Sequence, residues 1–313
     1  AGQRVFFAMQ AILMAVSAGT TALVARAWGA GDYEEASRIT MASLVLASGF
    51  AVFITIIGFF YAGNVASVFG LDKNTLEMAA ANIRWLCLFN VAFAVNFIMS
   101  AALRAAGDAW SPLWVGGAVN VVNLPLLYVF IFGEFGFPQM GVSGAAIAMG
   151  LSFSAGAVAL VALWVGQYFR VRYTRINWWS RERLRQLMHI GYPAAVEQGV
   201  FQLGFFIFLM LIGNYYGTEA FAAYNVGANL LMICITVGFG FSIAGSTLVG
   251  QHLGANDHEG AVSSGWRAMR LAMISMGILG LGVIYFAYDM AVFFVGDAPL
   301  TVEYTVHFTR ILG

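Results

Sequence analysis

Glu197 is the residue of this chain best suited to do chemistry. It stands in GYPAAVEQGVFQ, residues 191–202, with Pro193 one turn before it and Gln198 and Gln202 one turn apart beside it, inside an apolar run from about 186 to 213. At ~1.5 Å of helix per residue, a position a dozen residues into that run lies near mid-membrane. A charged carboxylate costs roughly 2.5–3.5 kcal/mol at such a depth, and nothing in local packing calls for one. A carboxyl group placed there can bind and release a proton. Ionised, it can hold Na⁺ with amide and carbonyl oxygens, because hard cations take oxygen ligands. The bland alternative is a protonated glutamate making one interhelical hydrogen bond, but deep ionisable groups more often mark ion pathways. Asp289, Glu134 and Glu219 sit at span ends instead.

Other polar positions could support such a site. Asn120 and Asn123 are three apart, on one face of an apolar span, with Pro125 following. Tyr224, Asn225 and Asn229 repeat the pattern further on, and Gln10 and Asn96 do so more weakly. Each group can line a cavity, or can tie two helices together for about 0.6 kcal/mol. Pro193 and Pro125 are candidate hinges. An interior proline removes a backbone donor and frees a carbonyl, whereas a first-turn proline does neither.

The elements that must position these residues are membrane helices. The chain has 313 residues, 61% of them hydrophobic and only 10% charged, with a mean hydropathy of +0.81. Soluble domains carry roughly 25% charged residues. Apolar runs fall at about 5–28, 39–62, 79–103, 111–133, 142–168, 186–213, 219–249 and 263–288, with another starting near 300, and each is long enough to cross a bilayer. Zero net charge gives no global field for nucleic acid. Two cysteines exclude a disulfide framework, and His189, His252, His258 and His307 show no ligand spacing. No metal or organic cofactor is therefore expected.

Charge orients the spans. Residues 168–189, YFRVRYTRINWWSRERLRQLMH, hold six arginines around Trp178 and Trp179, as befits a cytoplasmic, interface-hugging segment rather than a nucleic-acid patch. Arg26, Arg38, Arg104, Arg267 and Arg270 fall on the same side, and the opposite loops hold only Lys73. The first span then runs from outside to inside.

A repeat organises the whole. SAGTTALVARAWGAGDYEEA begins at Ser17 and SIAGSTLVGQHLGANDHEGA at Ser242, an offset of 225 that pairs Gly29 with Gly254, Asp32 with Asp257 and Glu34 with Glu259. Six spans separate the copies, so both cross in the same direction. Parallel repeats of this kind are a transporter architecture. Asp32 and Asp257 each open a helix after a glycine-containing turn, which makes them caps before anything else, and Glu35 adds capping-box spacing. The expected organisation is an N-terminal lobe over 1–168, a cytoplasmic basic linker over 169–185, and part of a C-terminal lobe over 186–313. The chain reads as an internal piece of a longer protein.

The doubled motif TALVARAWGAGDYEEA and STLVGQHLGANDHEGA, together with LPLLYVFIFGEFGFPQMGVSGAAIA and GYPAAVEQGVFQLGFF, resembles the multidrug and toxic compound extrusion (MATE) family over nearly the whole chain. The resemblance implies an all-α polytopic fold of two six-helix lobes, with the first and last helices outside this chain. It also implies a bacterial inner-membrane antiporter, monomeric, that exports organic cations and other amphipathic small molecules against inward Na⁺ or H⁺. Several branches of the family carry a cation-linked glutamate in the seventh helix, about two turns after a proline; here Pro193 precedes Glu197 by one turn. A lipid-linked sugar flippase would need cations deep in the cavity for phosphate, and the deep positions nearly lack them. An integral membrane enzyme or a channel would show clustered catalytic residues or a filter loop, and neither is found.

Overall fold

The computed structural model describes the backbone of residues 2–67, 73–174, 176–215, 217–295 and 299–312. Eleven α-helices run through them: α1 (Gly2–Gly29), α2 (Tyr33–Ser67), α3 (Lys73–Leu88), α4 (Asn90–Ala105), α5 (Trp110–Phe132), α6 (Gly141–Val165), α7 (Arg181–Tyr215), α8 (Gly217–Gly254), α9 (His258–Tyr285), α10 (Ala287–Val295) and α11 (Pro299–Leu312). No strand occurs among the described residues. Six helices are long and apolar enough to cross a bilayer, and α3 with α4 makes a seventh crossing if counted as one. Helix α7 is helical throughout residues 186–213, where a span was expected, but it is not among the six.

The span expected at 79–103 is broken. Helices α3 and α4 meet at 50° around Phe89. Two hydrogen bonds tie the break to α2: Thr55 Oγ1 donates to the Cys87 carbonyl at 2.7 Å, and the Asn90 side chain donates from Nδ2 to the Ala51 carbonyl of α2 at 3.3 Å. The Phe89 ring lies against Gly150 of α6, where a Cβ would come within 2.0 Å of it. A break in a membrane helix persists where its freed polar groups find partners, and the Cys87 carbonyl finds Thr55.

The two copies of the repeated turn fold alike. Gly31 has φ 76° and its counterpart Asn256 has φ 56°, so the left-handed residue that reverses the chain is glycine in one copy and asparagine in the other. Asp32 Oδ1 accepts the Glu35 N–H at 2.9 Å, and Asp257 Oδ1 accepts the Gly260 N–H at 2.8 Å. Both aspartates are caps, as expected. The capping box at Glu35 is not completed. That carboxylate instead receives Arg183 through two nitrogens, Nη2 at 2.8 Å and Nε closer still.

Contacts divide the chain into two compact groups. One gathers residues 1–199 with 250–256, the other 200–249 with 257–313. In the first, α1 packs on α2 and α4, and α6 on α4 and α5. Its main core joins Val24, Met99, Leu103, Leu160 and Trp164 to Phe169 and Val171 of the basic segment and Leu187 of α7. Burying two such side chains of a water-facing segment stabilises its attachment by roughly 1.5–3 kcal/mol each. In the second group, Ala287 and Ala291 of α10 pack on Val302 and Val306 of α11.

Candidate functional site

Glu197 occupies the middle of α7, an uninterrupted helix of 35 residues. Its side chain is exposed on the surface of this chain. Its carboxylate has no hydrogen bond or ion pair among the described residues. Gln198 and Gln202 are half-buried, one turn apart. Pro193 lies inside α7, not in its first turn. The helix starts at Arg181, ahead of the apolar run, because the basic segment supplies its opening turns. The proline therefore removes the bond that would reach the His189 carbonyl. Pro125 is likewise interior to α5.

The remaining expected site residues separate into different environments. Asn120 is exposed, and its amide returns to the Gly116 carbonyl of its own helix at 2.9 Å. Asn123 is half-buried and donates to Ser152 Oγ of α6 at 3.4 Å, so it bridges two helices of one bundle. Tyr224 is buried, with ring centroids 5.3 Å from both Phe208 and Phe308 in edge-on geometry. Its ring belongs to an aromatic core rather than to an open surface. Asn229 is exposed. The side chain of Asn225 lies outside the described residues.

A buried polar set carries more weight than its sequence signal suggested. Gln10 and Asn90 are both 2% exposed, and Gln10 Nε2 donates to Asn90 Oδ1 at 3.1 Å, beside the break between α3 and α4. Asn96 donates to the Ala92 and Phe153 carbonyls at 2.9 and 2.6 Å. Asn90 was detectable as a lone amide inside LCLFNVAF, but only its partners on other helices give it a role.

One cleft, about 660 Å³, opens at the arginine-rich end of the first group. Arg26, Asp32 and Glu35 line it from α1 and the start of α2, and Arg185 and His189 from α7. No group of three or more histidine, cysteine, aspartate or glutamate side chains is placed to hold a metal ion among the described residues.

Apolar helices long enough to cross a bilayer, carrying a motif repeated along the chain, are a build found among membrane transporters. The MatE family model matches residues 1–129 and 193–313, and the chain belongs to that family. It is 31% identical over 318 residues to the probable multidrug resistance protein NorM of Thermotoga maritima, covering 99% of this chain and 66% of that protein. A second relative, the probable multidrug resistance protein NorM of Bradyrhizobium diazoefficiens, is 27% identical over 98% of this chain and 66% of its own length. Among solved structures, the outward-facing conformation of a multidrug resistance MATE family transporter of the MOP superfamily superposes with a TM-score of 0.92 at 23% identity, over 99% of this chain and 69% of that one. The fold is thus MATE-like, and the family is one of transporters, not enzymes. The chain spans 66% of the first relative's length. Its multiple apolar helices and bacterial relatives make it a multi-pass protein of the bacterial inner membrane.

Proposed function

We propose that the protein is a cation-coupled antiporter that exports amphipathic or cationic small molecules by alternating access, with Glu197 as the coupling carboxylate. The observation that carries this is an acid with no hydrogen bond or ion pair among the described residues, midway along the continuous helix α7 and one turn after an interior proline. Near mid-membrane, where the sequence reading puts Glu197, a carboxylate is costly and is retained for a function. Na⁺ or H⁺ bound at Glu197 drives the cycle only if it binds the two states with different affinity. The interior position of Pro193 supports a hinge beside it. The multidrug resistance named in two relatives supports the substrate class. Orientation follows the arginines, with the basic segment 169–185 in the cytoplasm.

The test is dye efflux by the full-length protein in everted vesicles, comparing wild type with Glu197→Gln under an imposed Na⁺ gradient and then a pH gradient. Wild type exports a cationic dye under one gradient, which names the ion, and Glu197→Gln loses that response at least about tenfold, corresponding to ~1.4 kcal/mol of coupling. Equal efflux by both proteins removes Glu197 from the mechanism.

A further inference from the structure

The repeated glycines Gly29 and Gly254 do not make the turns in which they stand. The residues that reverse the chain are Gly31 and Asn256, both at positive φ, while Gly29 and Gly254 are the last residues of α1 and α8. Their lack of a side chain answers a different need. A Cβ at Gly29 would lie 1.9 Å from the carbonyl oxygen of Gln251, and a Cβ at Gly254 would lie 1.9 Å from the carbonyl oxygen of Arg26. No side chain fits at either place, so two helix ends cross here backbone on backbone.

The two contacts are images of each other. The offset of 225 that turns Gly29 into Gly254 also turns Arg26 into Gln251. Each copy of the motif offers its glycine to the carbonyl three residues before the other's glycine. Such a reciprocal contact is what a two-fold relation produces on its axis. All four residues belong to the same compact group. Neighbouring positions extend the seam: Gly250 sits against Ala25, Gly19 against the Leu187 carbonyl and Gly191 against the Ala15 carbonyl. Gln251 also donates from Nε2 to the Ala105 carbonyl at the end of α4, at 2.8 Å. Cα–H···O contacts are individually weak, so the crossing is tight in shape yet easy to separate.

We infer that the reciprocal crossing of Gly29 and Gly254 is a latch that holds the arginine-rich end shut and must part once in every transport cycle. This rests on the alternating-access reading above, and it assigns the cytoplasmic closure to two glycines that face each other across the repeat axis. The crossing is made by backbone atoms of Gly29, Gln251, Gly254 and Arg26, so the coupling ion bound at Glu197 would set its state from elsewhere in the protein.

The experiment uses the full-length protein in a cysteine-free background with Ala30→Cys and Ala255→Cys, both exposed beside the crossing. A short, reducible bis-thiosulfonate reagent links the pair. With the link intact, dye efflux falls at least about tenfold, and reductant restores it, because the population able to open has been removed. Efflux within about twofold of the reduced protein while the link is intact overturns the latch. If the reduced protein moves no dye under either gradient, the export reading is what has failed, and the latch is then judged by spin labels at the same two positions. Two distance populations whose ratio responds to Na⁺ or pH sustain it, and one short distance under every condition overturns it.

Discussion

Asn120 and Asn90 look alike in the sequence, each an amide in an apolar run, and the fold gives them different work. Asn120 bonds the carbonyl one turn back on its own helix. Asn90 joins Gln10 of α1 to the Ala51 carbonyl of α2. Removing a partner from a buried polar group leaves the other unsatisfied, which costs about 1–3 kcal/mol. Asn90→Ala should therefore lower the melting temperature in detergent distinctly, while Asn120→Ala, a surface change, should stay within about 0.5 kcal/mol. Similar losses for both would show that the network at the break contributes little. Tyr224 makes the same point from the other direction, since an aromatic ring spaced like its polar neighbours packs between Phe208 and Phe308.

At the scale of the element, α7 departs furthest from a plain membrane helix. It begins in the basic segment, takes in Pro193 and continues past Glu197 without interruption. An interior proline weakens a helix by about 3 kcal/mol relative to alanine, since it both removes a donor and crowds the preceding turn. Pro193→Ala restores an N–H for the His189 carbonyl. The expected result is slower amide exchange over 189–193, a higher melting temperature and slower dye efflux. Faster or unchanged efflux with slowed exchange would leave the proline without a part in the motion. The bend at Phe89 was not expected, because hydropathy averages over a window and reads α3 and α4 as one apolar run. Of the devices that hold the bend, Asn90 stands at the bend itself, while Thr55 and the gap at Gly150 lie on two other stretches of chain.

Across the whole molecule, the basic segment is more than a membrane-surface tether. Phe169 and Val171 are buried in the core of the first group, the Arg172 N–H donates to Ser37 Oγ at 3.0 Å, and Arg183 grips Glu35 while also reaching the Asn177 and Trp178 carbonyls. A lysine cannot reproduce the two-pronged contact with a carboxylate. A double-mutant cycle of Arg183→Lys and Glu35→Gln, read by thermal unfolding, should return a coupling of about 1 kcal/mol, above the typical exposed pair because Arg183 is mostly shielded. Protease cleavage within 169–180 should rise in both single variants. A coupling near zero would reduce the pair to a surface contact.

The sequence by itself made the apolar helices, the repeated motif and the family legible, and it singled out Glu197. These are properties of local windows, or of one window compared with another: apolar length against bilayer thickness, charge against loop side, and motif against motif at a constant offset. Asp32 and Asp257 were legible as caps for the same reason, because a cap bonds only three residues away. The tertiary structure alone decided which polar residues meet. It turned Glu35 from its own helix start to Arg183, buried Tyr224, brought Gln10 to Asn90, and set Gly29 and Gly254 against each other's carbonyl partners. Such pairings depend on helices far apart in the chain lying side by side, and no local spacing records which helix face will find which neighbour.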